Sequence, residues 1–138
     1  MTSRQPTNTI SAILRGEALA ALVGGIAIWV ANDGSLLWLL VFILLPDISM
    51  IGYLANDRIG ALTYNLVHNF IIAGALLGIG WWLGWRFGLM AGALLLAHVG
   101  MDRALGYGLK LPTGFHDTHL GRIGHGRESA TSAGEPGR

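Results

Sequence analysis

Apolar residues fall into four long runs separated by short polar breaks. The first extends from Ile10 to Ala31 and is interrupted only by Arg15 and Glu17. The second extends from Leu36 to Ala55 with Pro46-Asp47 inside it, the third from Ile59 to Leu83, and the fourth from Phe87 to Gly106. Between them stand Asn32-Asp33-Gly34-Ser35, Asn56-Asp57-Arg58 and Gly84-Trp85-Arg86, breaks rich in turn-forming residues. Each run approaches the roughly 20 residues that span a bilayer core. In lipid the backbone must pair within its own segment, so runs of this length predict helices. The pattern predicts an all-α polytopic membrane protein, a bundle of four transmembrane helices at about 10–31, 36–55, 59–83 and 87–106.

The ends read differently. Residues 1–9 are polar and expected to be flexible, and residues 123–138, rich in Ser, Gly and Ala, are expected to be a disordered tail. The stretch from Leu105 to Phe115 is apolar and aromatic with three glycines. It is expected to fold back against the end of the bundle as a lid-like segment, completing a domain of residues 10–122. The first run does not read as a cleavable signal peptide. Glu17 interrupts it, and Trp29-Val30-Ala31 lacks a small-x-small cleavage pattern.

Composition supports lipid as the solvent. Of 138 residues, 52% are hydrophobic and 12% charged, against about 25% charged in a soluble domain. A net charge of +1, with no basic cluster, argues against a nucleic-acid partner. The absence of cysteine excludes disulfides and thiolate metal sites. Four helices put both termini on one side. With the Asn56–Arg58 turn, that side collects eight of the nine basic residues, leaving Arg86 on the other. The excess of positive charge predicts that both termini are cytoplasmic. Trp29, Trp38, Trp81, Trp82 and Trp85 fall near the opposite ends, as an interfacial aromatic belt would.

Ionisable residues inside membrane helices are costly and mark candidate sites. Glu17, Asp47, His68, His98 and Asp102 all fall in the cytoplasmic half of their helices, counting about 1.5 Å per residue. His98 and Asp102 are four residues apart on one face, and Tyr64, Asn65 and His68 share another. Pro46 lacks an N–H and leaves the Phe42 carbonyl without its helical partner, opening the second helix beside Asp47. Two imidazoles and two or three carboxylates form an N/O set suited to Zn²⁺, Mn²⁺ or Fe²⁺. A metal with an open position there would activate water for hydrolysis. The same groups can instead join helices by hydrogen bonds, and Glu17 and Arg15 can snorkel to the interface. The glycine pairs Gly74/Gly78, Gly80/Gly84 and Gly88/Gly92 are expected to pack helices within the bundle, or between chains. His116, Asp117, His119 and His125 have a metal-binding composition but read as a solvated loop.

These residues carry a resemblance. Leu14-Arg15-Gly16-Glu17, Leu45-Pro46-Asp47, Tyr64-Asn65-Leu66-Val67-His68 and His98-Val99-Gly100-Met101-Asp102-Arg103, with the stretch on to Gly121, resemble an uncharacterised family of small bacterial four-helix membrane proteins, a domain of unknown function. The resemblance covers about residues 12–122 and implies the bacterial cytoplasmic (inner) membrane. More distantly, Pro46-Asp47, His68 and His98-x-x-x-Asp102 look like the pattern of bacterial membrane-bound metal-dependent hydrolases. The chain lacks their His-Arg-x-x-Thr-His stretch, and Glu17 stands where an early His is expected. The His-x-x-x-His pairs of ceramidase-like hydrolases do not occur.

Three functional readings follow. The leading one is a metal-dependent hydrolase acting on a lipid or other membrane-associated substrate. Asp47, His68, His98 and Asp102 would ligate Zn²⁺ or Mn²⁺, and Glu17 would be a fifth ligand or general base. Tyr64 or Asn65 would orient substrate or support the ligands, and Arg103 and Lys110 would hold an anionic headgroup. The alternatives are a non-catalytic subunit of a larger complex or homo-oligomer, packed through the glycine faces, and a small-solute or proton pathway.

Overall fold

A computed structural model of the chain describes residues 5–123. Four helical stretches, Thr9–Ala31, Leu36–Leu54, Asp57–Trp82 and Arg86–Leu105, are long and apolar enough to cross a membrane. Two of them are not continuous α-helices. The first is α1, Gln5–Ala31. The second is α2, Leu36–Phe42, continued by a 3₁₀ segment, Leu45–Leu54. The third divides into α3, Asp57–Val67, and α4, Phe70–Trp82. The fourth is α5, Arg86–Leu105. Residues 5–9, expected to be loose, belong to α1; Pro6 there falls in the first turn, where its missing N–H is unused. Residues 1–4 and 124–138, including most of the expected tail, lie outside the described residues.

The central element is α5, flanked by α1 and α4. Small residues permit the approach. A Cβ on Gly25 would stand 2.5 Å from the Ala97 nitrogen, and one on Gly100 the same distance from that of Leu22. Around these contacts lie two apolar clusters, Trp29 with Leu39, Ala93 and Leu94, and Ala73 with Leu95 and Val99. Large apolar side chains such as Leu37, Leu40, Ile71 and Trp82 face outward, an arrangement that lipid tolerates and water does not.

The glycine expectation needs correction. A Cβ on Gly74 or Gly78 meets nothing within 4 Å, so that pair packs against no described helix. Gly84 adopts φ +62° in a turn, while Gly80 and Gly92 do lie against other backbone.

At its C-terminal end α5 closes with Gly106 at φ +95°. Gly106 N donates to Arg103 O at 3.1 Å and Tyr107 N to Asp102 O at 2.8 Å, a Schellman closure that only glycine forms without strain. It turns the chain back toward α3. There Asn65 grips the Lys110 peptide with both ends of its amide, at 2.8 and 2.7 Å. A two-residue antiparallel pair, Asp117–Thr118 with Gly121–Arg122, completes this short C-terminal segment.

Candidate metal centre

Both interruptions of helical geometry lie at the polar layer. After Ile43 the chain tightens, and Asp47 N donates to Leu44 O at 3.1 Å. An α-helix would have given that N–H to the Ile43 carbonyl. His98 takes it instead, its Nδ1 lying 2.6 Å from Ile43 O. The recruited carbonyl is thus one residue beyond that of Phe42, which Pro46 alone was expected to free. The second interruption is at His68 itself, which ends α3 with φ −91° and ψ 47°. Asn69 then caps α4, its side chain accepting from Ile72 N at 2.9 Å. The His68 ring turns back so that Nδ1 lies 2.9 Å from Tyr64 O.

These contacts fix which nitrogen of each ring faces the backbone. A backbone carbonyl only accepts, so both Nδ1 atoms donate. A neutral ring so held presents its Nε2 lone pair inward. The two Nε2 atoms are 3.0 Å apart. Asp47 Oδ1 lies 3.1 Å from His68 Nε2 and 3.4 Å from His98 Nε2. Asp102 Oδ2 lies 3.9 and 3.6 Å from the same atoms. All four ligand atoms fall within 4.8 Å of one another.

Acceptors facing one another repel unless a cation stands among them. Ligand atoms about 2.0–2.1 Å from a tetrahedral metal are roughly 3.3 Å apart, and the distances here bracket that value. The Nδ1–H bonds to backbone carbonyls are the support that metal-bound histidines ordinarily have. The group Asp47, His68, His98 and Asp102 can therefore hold a metal ion.

Burial sets the direction of access. Both histidines are 0% exposed, whereas the Asp47 and Asp102 side chains retain 30% and 13%. The carboxylate side opens on a cavity of about 330 Å³ lined by Asp47, Tyr64, Asp102, Lys110 and His116, among others. Tyr64 donates to Asp102 Oδ2 at 3.1 Å and stacks on the His68 ring with centroids 3.7 Å apart. The Lys110 ammonium donates to Phe115 O at 2.9 Å and sits over the Phe115 ring. Burial pulls its pKa below the ordinary lysine value, while the Asp102 and Asp47 charges pull the other way.

Three expected members stand elsewhere. Glu17 is exposed and outside the cluster. The α1–α5 contact turns Ala18 inward at Gly100, and the neighbouring position, about 100° around the helix, faces away. Arg103 does not line the carboxylate-side cavity. It donates to Tyr107 O at 2.6 Å and to His68 O at 3.0 Å, behind the centre. Asn65 holds the C-terminal segment rather than the cluster. Of the C-terminal histidines, His116 lines the cavity, His119 Nδ1 accepts from Leu109 N at 2.8 Å, and His125 lies outside the described residues. The helix break at His68-Asn69 has one signal in the sequence, an Asn before an apolar run, which is a readable helix start.

Fold and centre together define a class: a small helical protein with four membrane-length helices and a buried group of two histidines and two aspartates able to hold a metal ion. The sequence model of the family described as "Domain of unknown function (DUF4260)" matches residues 11–123, and the chain belongs to that family. No curated protein and no solved structure matches the chain.

Proposed function

We propose that the protein is a membrane-embedded, metal-dependent hydrolase of the bacterial cytoplasmic membrane, with both termini cytoplasmic. Its substrate class is a lipid or another membrane-associated ester. Asp47, His68, His98 and Asp102 hold a zinc or manganese ion, the metals such an N/O set favours. The observation that carries this reading is the convergence of two Nε2 lone pairs, each locked by a backbone carbonyl, beside two carboxylate oxygens. A divalent ion there supplies Lewis acidity, making water a competent nucleophile near neutral pH.

The chain's own residues do the rest. Tyr64 orients Asp102. Lys110 spends one ammonium proton on Phe115 O and has two left for an anionic or carbonyl oxygen in the cavity. Water adds across the ester bond, releasing an acid and an alcohol. The test is hydrolysis of ester lipids by metal-loaded protein in mixed micelles. Asp47→Asn and His98→Ala are expected to reduce the rate to background. Equal rates in wild type and Asp47→Asn would overturn the reading.

One contact favours a second reading. The 3.1 Å separation of His68 Nε2 and Asp47 Oδ1 is also a hydrogen-bond length, so a shared proton can serve as the cation. The polar layer would then be a proton or small-solute pathway. The open face at Gly74 and Gly78 supports packing against a partner helix, in an oligomer or a larger complex.

A further inference from the structure

Arg103 directs attention to a second cavity beside the centre. This cavity, of about 490 Å³, is lined by Arg15, Arg103, Tyr107 and Arg122, among others, and no acidic side chain among the described residues lines it. An adjoining cleft of about 500 Å³ shares Leu14, Arg103 and Leu120 with it. That cleft continues along α1 past Ala18 and Ala21 to Phe70. Its lining is apolar except for Arg103, His119 and Glu17. Among the described residues, Arg122 pairs with Asp117 at 3.4 Å, but neither Arg15 nor Arg103 has a carboxylate within ion-pair reach. Arg103 is half-buried, and both of its hydrogen bonds go to main-chain carbonyls. A guanidinium in this position keeps its charge and lacks an anion.

We propose that this compound cavity is a binding site for one anionic phospholipid. Its phosphate lies among Arg15, Arg103 and Arg122, and an acyl chain runs into the cleft beside Ala21 and Phe70. Charge and shape select the occupant. The basic mouth is at the end of α5, where a headgroup lies if α5 crosses a bilayer, and the apolar cleft leads from it toward the bilayer's middle. Among the described residues, Arg15 and Arg103 are free of carboxylate partners and Arg122 shares its charge with Asp117, so the three guanidinia still exceed the two carboxylates, Asp117 and Glu17, beside them. Water or a soluble anion would leave the apolar part without a partner, and a zwitterionic lipid would offset much of the attraction with its own cation.

The site meets the carboxylate-side cavity at Tyr107 and Ile123 but does not depend on the metal reading. One hydrogen bond links it to the centre. Arg103 holds the His68 carbonyl at the break between α3 and α4, so the lipid phosphate and the His68 backbone share one guanidinium.

The test is native mass spectrometry of the detergent-purified protein with phosphatidylglycerol, phosphatidylcholine or glycerol 3-phosphate added in turn. One phosphatidylglycerol per chain is expected to bind at least tenfold more tightly than phosphatidylcholine. Arg15→Gln with Arg122→Gln, both on exposed side chains, is expected to remove that preference. Ala21→Leu, which fills the cleft without altering charge, is expected to weaken phosphatidylglycerol while leaving glycerol 3-phosphate unchanged. Equal binding of both lipids would overturn the proposal. So would glycerol 3-phosphate binding as tightly as phosphatidylglycerol, which would make the cavity a site for a soluble phosphate. Circular dichroism of each variant confirms folding, and Arg15→Gln alone provides a milder variant should the pair misfold.

Discussion

A buried histidine is uninformative until the partner of its second nitrogen is known. At His68 and His98 that partner is a backbone carbonyl, Tyr64 O in the last turn of α3 and Ile43 O where α2 gives way to 3₁₀ geometry. The bonds orient both Nε2 atoms toward the aspartates, the arrangement a metal-holding group requires. Side chains that aim the ligands should then matter by degree, and residues outside the group not at all. Tyr64→Phe removes the hydrogen bond to Asp102 and is expected to weaken metal affinity by about tenfold. Glu17→Gln is expected to leave it unchanged. Competition with a chromogenic chelator measures both. A strong effect of Glu17→Gln would return that carboxylate to the centre. Glu17 also marks the limit of what its apolar run encodes. Depth along a helix was legible from the position of each residue in its run. The face it occupies depended on how Ala18 and Gly100 bring α1 and α5 together, which no single apolar run encodes.

Discontinuity is the feature of the elements that the four hydrophobic runs conceal. The existence and extent of the membrane-length segments were legible because lipid imposes one length and one backbone solution on each. The change to 3₁₀ geometry at Leu45 had a signal in Pro46. The division of the third segment had only Asn69, one of several polar residues in a run long enough to read as one helix. Broken helices at membrane depth persist where the freed backbone groups find partners; here the His98 ring, Asn69 and Arg103 provide them. Asn69→Leu removes the cap on α4 and should cost about 1 kcal/mol. It is also expected to lower metal occupancy by allowing α3 to run on through His68. Thermal unfolding with metal analysis measures the two effects together, and full occupancy in a destabilised variant would separate the break from the centre. Gly100→Ala is expected to destabilise by about 1–3 kcal/mol, since its Cβ would press on α1. Gly74→Ala, opening on empty space, should be neutral or stabilising by up to about 1 kcal/mol. Unfolding midpoints in detergent compare them.

On the scale of the molecule, α5 organises everything else. It packs against α1 and α4, carries His98 and Asp102, and turns at Gly106 into the segment that covers the carboxylate side. The two cavities beside the centre meet at Tyr107 and Ile123 and differ in character, one reached past carboxylates and a buried lysine, the other past arginines. The proposed orientation places both on the cytoplasmic side. Because the chain has no cysteine, single cysteines report orientation cleanly. A cysteine in place of Ser35 is expected to react with a membrane-impermeant maleimide in intact cells, or in spheroplasts where an outer membrane intervenes. One in place of Asn56 should react only after the membrane is permeabilised, and the reverse pattern would invert the molecule.

The central claim is that four side chains form a metal centre, and elemental analysis of the detergent-purified protein tests it most directly. One transition-metal ion per chain in the wild type, lost in both His98→Ala and Asp47→Asn, is the predicted result. A folded wild-type protein that remains metal-free after reconstitution with Zn²⁺ and Mn²⁺ would contradict it and leave the shared proton as the cation of the polar layer.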